Sequence, residues 1–340
     1  MINILVTGTG GGVGQSIIKA LHISKIDCRI ISTDSNPLAV GIYRGDSGYL
    51  IPTANSPNFI DTIIDICEQE SIDVIFIGSD PELPYFAANK NRIEEKTGTK
   101  VVVSSPEVIK IGYDKWMTYR FLRENNLPYP RSSLPEKMYE LIDEVNYPII
   151  IKPRTGSASR DVFLAKNEEE LKIFIKRVDN PIVQEYLKPE EEEYTSGAIV
   201  FGDDILGVIT MKRELKCGST YRAFIDDYEI VRSAVINAAK LLKPFGPSNF
   251  QMRVTERGPV IFEINPRFSG TTALRAGAGF NEPEAVINYI LFDKTSQMDY
   301  QRGLIALRYW NEIYIPSEYY LKLRTDKVIK DPCSRMIDYF

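Results

Sequence analysis

The stretch "NFQMRVTERGPVIFEINPRFSG", residues 249–270, is two apolar runs divided by a turn sequence, and its alternation governs the reading of the second half of the chain. With Glu256, Arg257 and Gly258 as the turn, Thr255 faces Pro259 and Gln251 comes opposite Glu263. Period two then sends Phe250, Met252, Val254, Val260, Phe262 and Ile264 toward a core. Asn249, Gln251, Arg253, Glu263 and Asn265 point the other way, with Ile261 the one apolar residue among them. A polar face of this kind is either solvated or a row of oxygens suited to Mg2+ shared with phosphates, and alternation leaves both readings open.

Upstream, "PIIIKPRTGSASRDVFLA" delivers Lys152 on a buried-looking strand and turns back through Gly156, Ser157, Ala158 and Ser159. Small residues let backbone N–H groups approach phosphate oxygens, and the lysine adds a point charge. A glycine and serine turn is also a common hairpin connection. "AIVFGDDILGVIT" reads as a further antiparallel hairpin around Gly202, Asp203 and Asp204. "NEEELKIFIKRV" has an asparagine cap, early acids and late bases, as a helix should.

The first 105 residues have a different rhythm. "INILVTG", "CRIISTD", "DVIFIGS" and "KVVVSS" are apolar runs alternating with amphipathic helical segments, the pattern of a parallel sheet covered on both faces. "TGTGGGVG" (7–14) lies between strand and helix, with Asp34 after the next strand, so residues 7–34 match a dinucleotide-binding fingerprint. Glycine turns also cap parallel strands that bind no dinucleotide. A helix capped by Asp114 and ended by "NNLPYP" marks a boundary between the two halves.

Composition narrows the chemistry. The 340 residues carry 41 basic and 46 acidic side chains, a formal charge of -5, without a dense basic run, so a nucleic-acid partner is not expected. No apolar stretch reaches membrane-spanning length, and "MINILVTG" reads as a strand entering a glycine turn, which makes the cytoplasm the expected location and a membrane partner unexpected. The four cysteines are far apart and read as buried thiols. With His22 as the single histidine, a serine-histidine triad or multi-histidine metal site has little to draw on.

Taken in order, "DKWMTYRFLRENNLPYP", "YPIIIKPRTGSASRDV", "IVQEYL", "EEYTSG", "MKRELKCGSTYRA" and "FQMR … VIFEINPRFSGTTAL" resemble the ATP-grasp enzymes, in particular the carbamoyl phosphate synthetase-like carboxylate-amine ligases. The resemblance implies an α/β and α+β chain: a Rossmann-like domain over 1–110, a lid subdomain with its preceding helix over 111–187, and a C-terminal subdomain with an extension over 188–340. It implies ATP and Mg2+, with Mn2+ as a substitute, and small carboxylate and amine substrates. A homodimer is compatible with it.

Carried onto this sequence, the resemblance makes Lys115 the first ATP-contacting lysine and Lys152 the second, with the loop containing Gly156, Ser157 and Ser159 as the flap over the phosphates. Gln184, Glu185, Tyr186 and Leu187 match the adenine-binding stretch, and Glu193 the acid on the ribose hydroxyls. Gln251, Glu263 and Asn265 fall on the Mg2+ positions. Arg267 matches the arginine near the transferred phosphoryl group, with Lys212, Arg213 and Arg222 as anion contacts; Arg267, Lys152 and Arg222 make the implied catalytic set. Arg275 is a further candidate for an anionic substrate, and "GSDPE" (78–82) for the acceptor pocket. The implied chemistry is phosphorylation of a carboxylate followed by amide formation. Its rivals are a bicarbonate-phosphorylating enzyme and an NAD(P)-dependent oxidoreductase or epimerase built on residues 7–14.

Overall fold

The computed structural model describes residues 1–156, 160–295 and 297–337. Its first unit contains β1 (Ile2–Val6), α1 (Gly12–His22), β2 (Cys28–Asp34), β3 (Ser47–Leu50), α2 (Phe59–Glu70), β4 (Val74–Phe76), α3 (Leu83–Thr97) and β5 (Lys100–Val102). The strands are parallel in the order β3-β2-β1-β4-β5. Strands buried on both faces must be apolar throughout, which is why they read as runs of Ile, Val and Phe.

The lateral direction of the chain reverses between β1 and β4, the place where a doubly wound sheet presents its loops to ligands. Here the glycine turn is occupied with its own packing. Gly8 has φ +58°, and a Cβ on Gly14 would lie 2.5 Å from the Gly8 carbonyl oxygen, so helix and strand meet backbone to backbone. Asp34 accepts the N–H groups of Gly10 at 2.7 Å and Asn36 at 2.9 Å, holding the turn itself. Beside it, Thr7 donates to the buried carboxyl of Glu82, which burial pushes up to about 8.

Two helices, α4 (Pro106–Tyr113) and α5 (Lys115–Glu124), lead out of this unit, and Asp114 caps α5 as expected by accepting Trp116 N–H at 2.9 Å. The lid follows: β6 (Ser132–Ser133), α6 (Met138–Val145), β7 (Ile149–Pro153), β8 (Phe163–Ala165), α7 (Glu168–Arg177) and β9 (Pro181–Glu185), with its antiparallel strands ordered β6-β9-β7-β8. Asn167 caps α7 through Glu170 N–H at 3.0 Å.

The larger unit is built from β10 (Glu193–Phe201), β11 (Asp204–Lys216), β12 (Ser219–Ile225), α8 (Glu229–Leu242), β13 (Phe245–Thr255), β14 (Gly258–Asn265), α9 (Thr272–Gly277), α10 (Glu282–Phe292) and β15 (Leu304–Leu307). Its sheet is ordered β14-β13-β10-β11-β12-β15. Tyr194, Ala198, Val200, Phe250, Met252 and Ile264 share a core with Val231 and Val235 of α8. On the opposite face Ile199, Ile209 and Met211 join Phe268, Phe280 and the first unit's Val6, Ile17 and Phe76 in one core. Phe76 and Phe268 pack edge to face with centroids 4.9 Å apart. The first unit is thus fastened to the large sheet through a common apolar interior.

Under the same face lies a wholly buried ion pair, Arg275 with Glu282 at 2.9 Å. Asn249 and Thr195 accept from Arg275, and Thr272 donates to Glu282 at 2.6 Å. Gly197 leaves room for it, since a Cβ there would sit 2.3 Å from Arg275 Nη1. Arg275 is therefore a structural cation, contrary to the expectation that it reads an anionic substrate.

Three further differences from the sequence reading have local causes. The turn after β13 pairs Thr255 with Gly258, and a bulge between Gln251 and Met252 then absorbs the offset, so Gln251 still faces Glu263. In consequence Ile261 goes into the core with Met252, Val260 pairs with Arg253, and Phe262 leaves the core for the cleft. The tail, β16 (Ile313–Tyr314), α11 (Ser317–Asp326), β17 (Val328–Lys330) and β18 (Arg335–Met336), was expected to extend the unit over 188–340; instead β17 adds antiparallel to β3, and Leu323 and Ile329 pack on Ile42 and Tyr43. Finally, Cys67 is buried but Cys217 and Cys333 are exposed.

Candidate functional site

A cavity of about 200 Å3 lies between the lid and the large sheet. The lid contributes Lys152 from β7 and residues 184–187 from the end of β9; the sheet contributes Glu193, Arg213, Gln251, Arg253 and Glu263. Ile150, Val162, Leu187, Leu215 and Phe262 form apolar walls. These positions converge because alternate residues of β10, β11 and β13 share one face: the odd-numbered ones turn to the cleft and the even-numbered ones to α8.

Two lysines meet here from different elements. Lys115 begins α5, and its ammonium donates to the Gly156 carbonyl at 3.0 Å, tying the helix to the start of the flap. Lys152 is 7% exposed, and burial, aided by the nearby Lys115 charge, lowers its ammonium to about 7. Glu263 and Glu193 oppose that shift. A bound polyphosphate would favour the charged lysine, so ADP binding should take up a proton above pH 7. The affinity for ADP is expected to fall on the order of tenfold from pH 6 to pH 8. Calorimetry in buffers of different ionisation enthalpy checks both; a pH-independent affinity over that range would contradict this reading of Lys152.

Glu193 is held between two guanidinium groups. One oxygen accepts Arg213 Nε and Nη2 at 3.1 and 2.7 Å, the other Arg253 Nε and Nη2 at 3.1 and 2.8 Å. Arg213 also donates to Gln251 Oε1 at 2.6 Å, and Arg253 to the Leu187 carbonyl at 2.7 Å. The pair of arginines therefore joins the sheet to the segment at 184–187. Within that segment Gln184 is buried and donates to Ser132 Oγ at 2.8 Å, while the Glu185 carboxylate accepts Arg131 N–H at 2.8 Å.

A second cavity adjoins the first and shares Lys115, Gly156 and Glu263 with it. It runs toward Asp80, Leu83, Ile109, Tyr113, Asn265 and Pro266, at the seam with the first unit. Asn265 donates to Glu263 Oε1 at 2.9 Å and accepts from Arg267 Nη2 at 3.2 Å. Arg267 in turn forms a two-pronged pair with Asp80, Nη2 at 2.9 Å from one oxygen and Nε on the other, and donates to the Phe268 carbonyl at 2.8 Å.

Gln251 faces Glu263 across the hairpin as expected, with Asn265 two residues on; the Gln251 oxygen accepts from Arg213 and the Asn265 oxygen from Arg267, and an all-oxygen set of this kind would suit Mg2+. Among the described residues no group of three or more His, Cys, Asp or Glu side chains stands together, so a cation here would complete its ligands from the two amides and from phosphate.

Several expected residues fall elsewhere. Lys212 lies on the α8 side of β11 and pairs with Glu192 at 2.5 Å, and Arg222 pairs with Glu214 at 2.9 Å on an exposed surface, so neither lines the cavities. Both sit one position out of phase with Arg213 and Ala223, which face inward. Ser157 and Ser159 lie outside the described residues. Arg253, placed on the polar face with Gln251 but given no role there, lines the first cavity, as do Arg160 at the end of the flap loop and Phe262, which the alternation sends to the core. Neither cavity is lined by residues 7–14, and Asp34 is already bonded within the turn, so the dinucleotide reading and the oxidoreductase built on it find no support.

A parallel-sheet unit, an antiparallel lid and a larger antiparallel sheet, with paired lysines and an oxygen row in the cleft, define the ATP-grasp class. The chain matches the PylC-like N-terminal domain over residues 2–102 and the ATP-grasp domain over 113–271, so it carries an ATP-grasp domain behind a PylC-like first domain. It is 24% identical to the carbamoyl phosphate synthase large chain of Pyrococcus furiosus over 283 residues, covering 77% of this chain and 26% of that relative's length. In fold it resembles an N5-carboxyaminoimidazole ribonucleotide synthetase solved as an ADP complex, with a TM-score of 0.71 at 14% identity over 90% of this chain and 81% of that one. An L-amino acid ligase from Bacillus licheniformis gives a TM-score of 0.65 at 14% identity, over 85% and 74% of the two chains. Among the described residues no helix is long and apolar enough to cross a membrane.

Proposed function

We propose that the chain is an ATP-dependent ligase that activates a small-molecule carboxylate as an acyl phosphate and couples it to an amine. The observation that carries this reading is the junction of the two cavities at Lys115, Gly156 and Glu263. One cavity has the apolar walls and cations a nucleotide needs. The other leads from its phosphate end to Asp80, behind which Arg267 is held in an ion pair. A carboxylate oxygen in the second cavity attacks the γ-phosphorus and ADP leaves; an amine nitrogen then attacks the acyl carbon and phosphate departs.

Within this reading the base lies against Ile150, Leu187 and Leu215 and bonds to Gln184 and the 185–187 backbone. Lys115 and Lys152 take the phosphates, and Glu193 takes the ribose by trading away arginine N–H groups. Gln251, Glu263 and Asn265 would hold Mg2+, or Mn2+ on the same oxygens, and the bound cation would neutralise phosphate charge. Arg267 stabilises charge on the transferred group. The lid keeps water from the acyl phosphate. With ATP, Mg2+ and a panel of carboxylates and amines, the expected products are ADP, phosphate and an amide of the summed mass less water. AMP and pyrophosphate would contradict the proposal.

A further inference from the structure

Lys115 and Lys152 approach the first cavity from different bodies. Phe121 and Leu122 seat α5, which begins at Lys115, in the core of the large sheet; Ile149 and Ile151 seat β7, which carries Lys152, in the core of the lid. Two ammonium groups facing one cleft repel each other: burial lowers Lys152, and the Lys115 charge lowers it further. A polyphosphate that engages both lysines nevertheless needs them at a fixed separation.

The tie between the two bodies lies beside both lysines, one residue before Lys115 and two after Lys152. Asp114 and Arg154 form a two-pronged ion pair, with Arg154 Nε donating to Asp114 Oδ1 at 3.1 Å and Nη2 to Oδ2 at 2.5 Å. The Lys115 N–H donates to the Arg154 carbonyl at 2.9 Å, and the Arg154 N–H is fixed in turn on the Asn180 carbonyl at 3.0 Å, next to β9. Neither Asp114 nor Arg154 lines either cavity. Capping of α5 does not account for the pair. The cap on Trp116 N–H occupies Oδ1 and asks for no negative charge, since asparagine caps as well; among the described residues Oδ2 serves Arg154 alone. At the base end of the same cavity the lid is held separately, by Arg257 on Glu185 at 2.5 Å and by Arg253 on the Leu187 carbonyl.

We propose that Asp114 and Arg154 are positioning residues: their ion pair clamps the lid to α5 at the phosphate end and sets the separation of Lys115 and Lys152 at which one polyphosphate bridges both. The clamp then matters for a ligand that spans the two lysines and not for one that ends short of them. A nucleoside monophosphate engages one lysine at most, and its affinity is set by the base and ribose contacts.

The role rests on the first cavity holding a nucleotide, as proposed above, and binding rather than turnover is measured so that the clamp and the ligase reading can fail separately. ADP with Mg2+, and AMP, are titrated into the wild-type protein, Asp114→Asn, Arg154→Met, Arg154→Lys and the double variant Asp114→Asn, Arg154→Met. Each of Asp114→Asn and Arg154→Met is expected to bind ADP on the order of tenfold more weakly, with AMP affinity held within about twofold. The double variant is expected to be no weaker than either single one, and Arg154→Lys to recover part of the loss as a point charge on the same acid. Thermal unfolding should move little, because the two side chains are 25% and 17% exposed and such a pair adds little stability. Arg154→Met leaves the α5 cap untouched and decides the matter by itself if the Asp114 variants do not fold. An ADP-to-AMP preference equal to that of wild type in Arg154→Met overturns the clamp, as do losses that add in the double variant. An equal loss for AMP does so too, since it reduces the pair to a general support of the lid. The expected ADP-selective loss in a protein that makes no amide upholds the clamp and removes the ligase reading; a wild-type protein that binds neither nucleotide ends both.

Discussion

Replacing Glu263 by alanine is expected to remove Mg2+-dependent ADP formation by ~10²–10³-fold, the scale lost when one preorganised charge-bearing group leaves an active site. Glu263 is the one carboxylate in the proposed cation-binding set, and its companions Gln251 and Asn265 are neutral amides already engaged by Arg213 and Arg267. It also borders both cavities, where the nucleotide and the second substrate meet. The strand itself should persist, because the side chain is half-buried and its protein partner is the Asn265 amide. An unchanged thermal unfolding transition with lost ADP release is the expected combination. Activity within tenfold of wild type would remove Glu263 from the site.

Glu282→Ala should act on stability instead. Arg275 and Glu282 are both wholly buried, and Arg275 Nε has no hydrogen-bond partner among the described residues. Taking away the carboxylate strands a guanidinium in the interior, which costs about 3–5 kcal/mol. Thr272 loses its acceptor as well. A denaturant titration measures the loss, and the double variant Arg275→Met, Glu282→Leu should recover much of it, since packed apolar groups replace a buried pair with little penalty. A single variant as stable as wild type would mean that solvent reaches this pair.

How far the site was legible follows from the same residues. The Gln251 and Glu263 pairing came through because two local features offset each other: the tight turn moves the register by one, and the bulge moves it back. Composition cannot reveal a bulge, so Phe262 and Ile261 were assigned to the wrong faces. Lys212 and Arg222 were misplaced for a simpler reason. Their basic character suggested anion binding, whereas period two from Arg213 and Ala223 turns both away. Arg275 shows what patterning leaves out, because its burial depends on Glu282, Asn249 and the space over Gly197, three separate parts of the chain.

The parallel sheet was readable from its apolar runs, but its sixth strand was not. β17 comes from the far end of the chain and joins the sheet edge beside β3, a long-range pairing without a local signal. Asp80 was suggested only as part of a loop. Its position after β4, at the reversal of strand order, gives it a physical reason to face a ligand. The glycine turn at 7–14, the strongest motif in isolation, is used for packing between α1, β1 and the loop after β4.

The central claim is that a substrate carboxylate takes the γ-phosphoryl group of ATP. It is tested most directly by supplying the substrate with 18O in its carboxylate and weighing the phosphate released. The account predicts transfer of one labelled oxygen from carboxylate to phosphate at every turnover, with ADP formed in equal amount. Phosphate free of label, with the amide still produced, would contradict it.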